Sequence, residues 1–360
     1  MIINQAKIIG ILKDSLYKEN LGEIKWKITN LKNNLKNFKV DKLGILNIAS
    51  NGQTINVSRK YIESELQQIL ETKTLERTKH YLNRLIKSLT EIKTSKINDI
   101  NLNRWKEYND ILTDSLWILN KRDNSGAHSA EYWGNFIPQI PNQLLRRYTK
   151  KGEWVLDPFL GSGTTLIECK RLGRNGIGVE LQSKVVKLAK KNIEKERDIF
   201  SKEVRTEVIN GDSTQIDFKI ELKRIGIKSI QFLIMHPPYW DIIKFSNDEK
   251  DLSNAKTIED FLIAFGKVVD NTCQILDKER YFAVVIGDKY SRGEWIPLGF
   301  YTMQEVLKRK YTLKSIIVKN FEETKGKMNQ KELWRYRALV GGFYIFKHEY
   351  VMLFKKKERR

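Results

Sequence analysis

The residues best suited to chemistry begin with a glycine-rich segment at residues 157–165, Asp-Pro-Phe-Leu-Gly-Ser-Gly-Thr-Thr. It follows an apolar run at residues 154–156 and precedes a helical stretch that ends at Gly173. Two glycines permit a tight strand-to-helix turn and let a ligand lie against bare backbone. The hydroxyls of Thr164 and Thr165, beside a helix N-terminus, offer hydrogen-bond donors to a carboxylate. The pattern predicts a ligand site at this strand end.

Two acidic residues follow the next two predicted strands. Glu180 lies 23 positions beyond Asp157 and ends the run at residues 176–179, where a carboxylate can bind the two hydroxyls of a ribose. Asp212 follows the run at residues 207–209, where an acid can accept the amino group of an adenine. The glycine turn and the two acids together predict a nucleoside site.

A second motif, His-Pro-Pro-Tyr-Trp at residues 236–240, follows the apolar run at residues 230–234. Strand propensity does not explain two prolines at the carboxyl end of a buried strand, because proline cannot donate to a sheet ladder. We interpret them as stiffening a loop. We expect this loop and the glycine turn to emerge on the same edge of one sheet.

The two motifs together resemble the amino-methyltransferase family of DNA-modifying enzymes, over roughly residues 128–355. The resemblance implies S-adenosylmethionine as cofactor, with Glu180 at its ribose and Asp212 at its adenine. Residues 134–138 are similar to the family's additional cofactor motif, which closes over the methionine moiety. The other expected cofactor residues are Asn135, Phe136, Pro138, Asp157, Phe159, Gly161, Gly163, Thr164 and Thr165.

The resemblance also implies how a base would be activated. The lone pair of a base amine is delocalised into the ring, so the enzyme must accept the amine's protons to make the nitrogen nucleophilic. Carried over by position, the His236 side chain and the Pro237 carbonyl accept from the amine, in a loop stiffened by Pro238. Tyr239 stacks on a flipped base, and Trp240 extends the aromatic wall.

His236 departs from the family, which usually has Asp, Asn or Ser at this position. A neutral imidazole accepts one hydrogen bond, whereas a protonated one would repel the substrate's developing positive charge. We therefore predict activity that falls as the pH drops through the imidazole pKa. Two other interpretations stay open: that His236 only packs, and that the site is inactive.

Recognition of the nucleic acid is expected outside the core motifs, since only 73 positions separate Gly163 from His236. The candidates are the N-terminal region and the stretch at residues 320–337, which is rich in basic and aromatic residues. The other interpretation of this stretch is a solvated loop beside a core tryptophan. The expected nucleic-acid contacts are Trp240, Lys325, Lys327, Lys331, Trp334, Arg335 and Arg337. Residues 346–350 are also similar to a stretch of related enzymes and are expected to support the active-site wall.

The elements that must position these motifs divide the chain at residue 122. Residues 1–122 are predicted to be a mainly helical accessory or recognition region, with helical apolar spacing at 24–35, 62–70 and 81–89. Residues 123–360 are predicted to be the S-adenosylmethionine-dependent methyltransferase domain.

The predicted fold of this second region is an α/β, Rossmann-like methyltransferase sheet with antiparallel closing strands. The closing pair is antiparallel because no clear helix separates its strands to serve as a crossover. The parallel strands are expected at residues 154–156, 176–179, 207–209, 230–234 and 281–286, and the closing strands at 313–318 and 344–354.

Composition is consistent with a polyanionic partner. The net charge is +21, and residues 301–360 hold 16 Lys and Arg against 6 Asp and Glu. A solvated lysine-rich surface is the other interpretation of this excess. Cys169 and Cys273 have no metal-ligand spacing and are expected in the core of a protein in a reduced compartment. No apolar run approaches the roughly 20 residues of a membrane span, so we expect a cytoplasmic protein without a membrane partner.

Three functions remain open. The first is a DNA methyltransferase acting on adenine N6 or cytosine N4, in restriction-modification with a cognate endonuclease as partner or in a related role. The second moves the same chemistry to tRNA or rRNA. The third is a non-catalytic subunit that binds S-adenosylmethionine. The target base, recognition sequence and oligomeric state stay open.

Overall fold

The computed structural model describes residues 1–36, 43–46, 53–119, 121–128, 132–197, 203–321 and 330–358. The chain forms two compact units, Met1–Lys96 with Ile100–Asp110, and Ile97–Asp99 with Ile111–Arg360. Residues 111–122, which the sequence grouped with the N-terminal region, therefore belong to the second unit. They do so because Leu116–Trp117 is a strand of its sheet and the Trp117 side chain is buried.

The first unit is mainly helical, as its apolar spacing predicts. Its elements are β1 (Ile2–Asn4), α1 (Gln5–Leu16), α2 (Leu21–Lys36), β2 (Thr54–Asn56), α3 (Arg59–Leu70), α4 (Leu75–Thr90) and a 3-10 helix, Leu102–Glu107. Side chains of Asn4, Ser58 and Thr74 accept first-turn N–H groups and so begin α1, α3 and α4. The helices enclose their own core, which includes Ile8, Leu12, Ile28, Leu66 and Leu82.

The second unit alternates strands and helices. Its first half holds β3 (Leu116–Trp117), α5 (Gln139–Tyr148), β4 (Trp154–Asp157), α6 (Thr164–Leu172), β5 (Asn175–Glu180), α7 (Ser183–Lys195), β6 (Thr206–Asn210), α8 (Phe218–Arg224) and β7 (Ile230–Met235). The remainder holds α9 (Ile258–Cys273), β8 (Leu276–Ile286), β9 (Lys289–Ser291), β10 (Glu294–Ile296), α10 (Leu298–Leu307), β11 (Thr312–Asn320), α11 (Lys331–Gly341) and β12 (His348–Lys355).

The main sheet confirms the predicted fold class. Over the described part of the chain its order is β3-β11-β12-β8-β7-β4-β5-β6. The five predicted parallel strands are β4 to β8, and β12 pairs antiparallel with both β8 and β11. Parallel strands of a wound sheet bind ligands beyond their carboxyl ends, which is the edge where both sequence motifs emerge.

Three details of the sheet differ from the prediction. Helix α11 lies between the closing strands, and its residues are exposed or half-buried, so it leaves no strong apolar periodicity in the sequence. Residues 344–346 are not part of a strand, and β12 begins only at His348. Strand β3 is not among the predicted strands, because its two residues are too few to show an alternating pattern.

Alternation along the strands produces a core on each face of the sheet. Leu156 and Leu233 face one side with α8 and α9, whereas Val155 and Phe232 face the other with α5. Burying each such side chain contributes about 1.5–3 kcal/mol. Both cysteines are buried and unpaired, as expected. Among the helices that the structure describes, none has the length and apolarity needed to cross a membrane.

Candidate active site

The glycine turn joins β4 to α6 in a backbone conformation that favours glycine. Gly161 has φ +55° and Gly163 has φ +98°, and α6 begins at the next residue, Thr164. A Cβ at position 161 would lie 3.2 Å from Cε1 of Tyr132, and one at 163 would lie 3.1 Å from Cγ1 of Ile193. The sequence prediction of a tight turn of bare backbone is confirmed.

Asp157 holds this turn from beneath. Its buried carboxylate accepts the Thr165 hydroxyl at 2.5 Å on Oδ2 and the Phe159 N–H at 2.9 Å on Oδ1. Burial raises the pKa of Asp157 to about 6, against the opposing effect of the two hydrogen bonds. Asp157 and Thr165 therefore shape the turn, and their side chains lie behind its exposed backbone.

The two predicted acids lie at the ends of adjacent strands. Glu180 accepts the Gly161 N–H at 3.1 Å on Oε2 and the Gln182 N–H at 2.9 Å on Oε1, and burial raises its pKa. Asp212 accepts the Thr214 N–H at 2.8 Å and hydroxyl at 2.7 Å, both on Oδ1. A carboxylate oxygen has two lone pairs, so both acids retain capacity to accept from a ligand.

One cavity of about 1000 Å³ brings most of these residues together. It runs from the glycine turn to the proline loop. The predicted residues that line it are Asn135, Phe136, Phe159, Gly161, Thr164, Glu180, Asp212, His236, Pro237, Pro238, Tyr239 and Trp334. Those that do not line it are Pro138, Asp157, Gly163, Thr165, Trp240, Lys331, Arg335 and Arg337. Lys325 and Lys327 lie outside the described residues.

The segment before α5 links the two motifs. Asn135 Nδ2 donates to Ser162 Oγ in the glycine turn at 2.5 Å. The Phe136 ring packs edge-on against the His236 ring, with 4.8 Å between ring centres. Pro138 precedes the first residue of α5 and so sets the direction in which the helix leaves the site.

The proline loop holds a chain of hydrogen bonds. His236 Nε2 lies 3.3 Å from Tyr239 Oη, which donates to Glu349 Oε2 at 2.7 Å. Lys319 Nζ donates to Glu349 Oε1 at 2.9 Å. Lys319 is absent from the sequence prediction. Glu349 is in the stretch expected to support the active-site wall, but its partners lie in the proline loop and in β11, which only folding brings together.

The surroundings of His236 lower the pH at which the predicted loss of activity is expected. Burial is the main cause that lowers the pKa of His236 to about 4; the Glu349 charge opposes the shift and the Lys319 charge adds to it. The imidazole is therefore neutral in the pH range around 6.5, where an unperturbed histidine titrates. A neutral imidazole can accept one hydrogen bond, and at this pKa it is a weak base.

Trp240 has a structural anchor beside the loop. Its φ of +50° is unusual for a bulky residue and turns the chain directly after Tyr239. The indole Nε1 donates to the Ala255 carbonyl at 2.8 Å, and Lys289 Nζ lies 4.2 Å from the ring centre. The ring thus packs beside the cavity without lining it.

A sheet of five parallel strands with an antiparallel pair, a glycine turn beside two acids and a shared cavity together define the Rossmann-like fold of S-adenosylmethionine-dependent methyltransferases. The chain belongs to the DNA methylase family, whose model matches residues 4–191, just over half of the 360 residues. S-adenosylmethionine is the cofactor that this family and fold imply.

Several type II methyltransferases are similar to parts of the chain. M2.DpnII of Streptococcus pneumoniae is 38% identical over 102 residues, 27% of this chain and 34% of that protein. M2.LlaDCHI of Lactococcus lactis subsp. cremoris is 32% identical over 147 residues, 39% and 46% of the two chains. The matches thus span less than half of either relative. Among solved structures, TrmN from Thermus thermophilus aligns with 62% of this chain and 50% of its own, at 17% identity and a TM-score of 0.40.

Proposed function

We propose that this protein transfers a methyl group from S-adenosylmethionine to an exocyclic amino group of a flipped DNA base, adenine N6 or cytosine N4. The observation that carries the proposal is that the glycine turn and the His-Pro-Pro-Tyr loop line one cavity. Family membership and the similarity to type II methyltransferases favour DNA as the substrate. They also favour a restriction-modification setting, in which a cognate endonuclease would be the partner.

The residues of the glycine-turn end fit the cofactor. Glu180 and Asp212 present acceptors for ribose hydroxyls and an adenine amine, and the bare backbone at Gly161 admits a close ligand. Asn135, which is hydrogen-bonded to the glycine turn, and Phe136 also line the cavity, where they would bind the methionine moiety. When bound, S-adenosylmethionine supplies an electrophilic methyl group on a sulfonium.

The residues of the loop end activate the base. The His236 side chain and the Pro237 carbonyl would accept hydrogen bonds from the two amine N–H groups, which would localise the nitrogen lone pair toward the methyl group. Attack of this nitrogen on the methyl group would break the bond between that carbon and sulfur, and one amine proton would pass to solvent. The Tyr239 ring faces the same cavity and would stack on the base.

The nucleic-acid interface is proposed on α11. Lys331, Arg335 and Arg337 are exposed on this helix, so they suit contact with phosphates. The guanidinium of Arg337 lies 5.3 Å from the ring centre of Trp334, which itself lines the cavity. Arg337 therefore lies beside a residue of the cavity wall, where it would contact a phosphate next to a flipped base.

The proposal is tested with labelled S-adenosylmethionine, offered with unmodified DNA and with RNA, followed by nucleoside analysis of the labelled polymer. We expect N6-methyladenine or N4-methylcytosine in DNA. The His236→Ala variant should lose transfer while retaining cofactor binding. Label in RNA alone would reassign the substrate, and label in neither polymer with intact cofactor binding would favour a non-catalytic subunit.

A further inference from the structure

Lys319 and Glu349 form a buried ion pair beneath the proline loop. They are direct cross-strand partners of β11 and β12, and their side chains face each other at 2.9 Å. Lys319 is 5% and Glu349 8% exposed, so water solvates neither charge fully. A buried pair of this kind is costly to desolvate and is weak evidence for a stabilising role, which calls for another reason for its presence.

The direction of each hydrogen bond from this pair is set by chemistry. Lys319 can only donate, so Glu349 Oε1 is an acceptor. Although burial acts to raise it, the Lys319 charge keeps the pKa of Glu349 below its ordinary value, so Oε2 is also unprotonated. Tyr239 must then give its only hydroxyl proton to Oε2, at 2.7 Å.

The orientation of Tyr239 passes to His236. Because the Tyr239 proton points to Glu349, its oxygen can only accept from the imidazole Nε2, 3.3 Å away. Nε2 must therefore carry the ring proton, and Nδ1 keeps its lone pair. Nδ1 is as many bonds from Cα as the side-chain oxygen of Asp or Asn. The Tyr239 ring packs closely against Gly287. A Cβ at position 287 would lie 2.8 Å from Cε2 of this ring.

We propose that Glu349, fixed by Lys319, is a positioning residue that acts through Tyr239 to keep the His236 proton on Nε2 and so presents Nδ1 as the acceptor for the substrate amine. The inference rests on the proposed function for its role in catalysis. The tautomer itself does not depend on which polymer is the substrate.

The variant Glu349→Gln should reverse the direction of the hydrogen bonds that run from position 349 through Tyr239 to His236. Lys319 would claim the single amide oxygen, so the amide NH₂ would face Tyr239 and donate to it. The Tyr239 hydroxyl would then donate to His236 Nε2, which moves the ring proton to Nδ1. We expect kcat to fall by about 10²-fold or more, with little change in cofactor Kd.

The double variant Lys319→Met with Glu349→Gln should restore the original direction of these hydrogen bonds. Without the lysine, the amide can turn its oxygen to Tyr239, which would again donate away from His236. We expect the Nε2 proton to return and kcat to recover most of the loss. If Glu349 had only a structural role, removing Lys319 as a second buried polar group would not restore kcat.

The tautomers are measured by ¹H–¹⁵N NMR of the full chain labelled at histidine, with His236→Gln to assign the signal among the four histidines. The matched control is Tyr350→Phe, because Tyr350 Oη donates to Asp288 at 3.0 Å and lies 3.1 Å from His348 Nε2. This control should change the His348 signals and leave those of His236 unchanged. Should Glu349→Gln fail to fold, Tyr239→Phe should replace the single His236 tautomer by a mixture.

The proposal is overturned if His236 carries its proton on Nδ1 in the unaltered protein, or if Glu349→Gln leaves both the tautomer and kcat unchanged. The NMR measurement needs neither DNA nor methyl transfer. A protein that methylates no polymer but shows the expected tautomers would therefore contradict the proposed function and leave the hydrogen-bond chain standing.

Discussion

The Asp157 carboxylate accepts the Thr165 hydroxyl at 2.5 Å, across a turn whose intervening backbone lines the cavity. The bond ties the last residue of β4 to the first turn of α6. It holds a buried acid directly behind the proposed position of a cationic cofactor.

We expect the affinity for S-adenosylmethionine to fall as the pH drops through about 6. Burial raises the pKa of Asp157 to about 6, and its ionised form favours a bound cation while its protonated form does not. Protons therefore compete with the cofactor, and affinity is complete above this pH. Titration calorimetry from pH 5 to 8 measures the change in Kd. An Asp157→Asn variant should lose this pH step, and an unaltered step in that variant would assign it to another group.

Methyl transfer should not change between pH 6 and 8 through ionisation of the imidazole. Burial lowers the pKa of His236 to about 4, so the neutral acceptor is present above that value and is lost only as the pH falls through it. Single-turnover rates with saturating cofactor, measured after brief exposure to acid, report this step. His236→Asn restores a family residue and should remain active without the acid limb. A rate that falls through 6.5 in the unaltered protein but not in this variant would contradict an imidazole that stays neutral down to about pH 4.

Gly163→Ala should weaken both the fold and the cofactor site. The residue has φ +98°, where a Cβ is strained by about 1–2 kcal/mol, and the new carbon would press on Ile193 at 3.1 Å. We expect a lower free energy of unfolding by denaturant titration and a higher cofactor Kd. Gly10→Ala is the control, since it lies inside α1 with no atom within 4 Å of the new Cβ. It should raise stability by about 0.5–1 kcal/mol, and equal losses in both variants would contradict the role of the turn.

Removing the three exposed basic side chains of α11 should weaken DNA binding in a salt-dependent way. The change is the triple alanine variant of Lys331, Arg335 and Arg337. Each DNA phosphate that the variant no longer neutralises should reduce the steepness of log K against log salt by about 0.9. Fluorescence anisotropy over a salt series measures both the affinity and this slope.

The matched control for α11 is the triple alanine variant of Lys187, Lys190 and Lys191, which are exposed on α7. It removes the same charge from another helix and should leave most of the affinity. Equal reductions in affinity for both triple variants would show that net charge alone, and not the three α11 side chains, attracts the DNA.

The sequence by itself determined the strand–turn–helix at residues 154–172, because each of its signals is local. Glycine at positions 161 and 163 permits positive φ, and the apolar run of β4 identifies a buried strand. The alternation of strands and helices was sufficient to predict a wound sheet and its antiparallel closure. Weakly patterned elements such as β3 and α11 escaped this reasoning, because a two-residue strand and an exposed helix leave little apolar periodicity.

Only the tertiary structure decided how the histidine works. Glu349 lies 110 positions from Tyr239 in the chain, yet β12 brings its carboxylate within 2.7 Å of the tyrosine hydroxyl. No local pattern links residues so far apart, and the pKa of His236 depends on burial by elements that the sequence separates widely. Residue types and spacing therefore predict which groups reach a site, whereas the protonation of those groups depends on the dielectric and the partners that folding supplies.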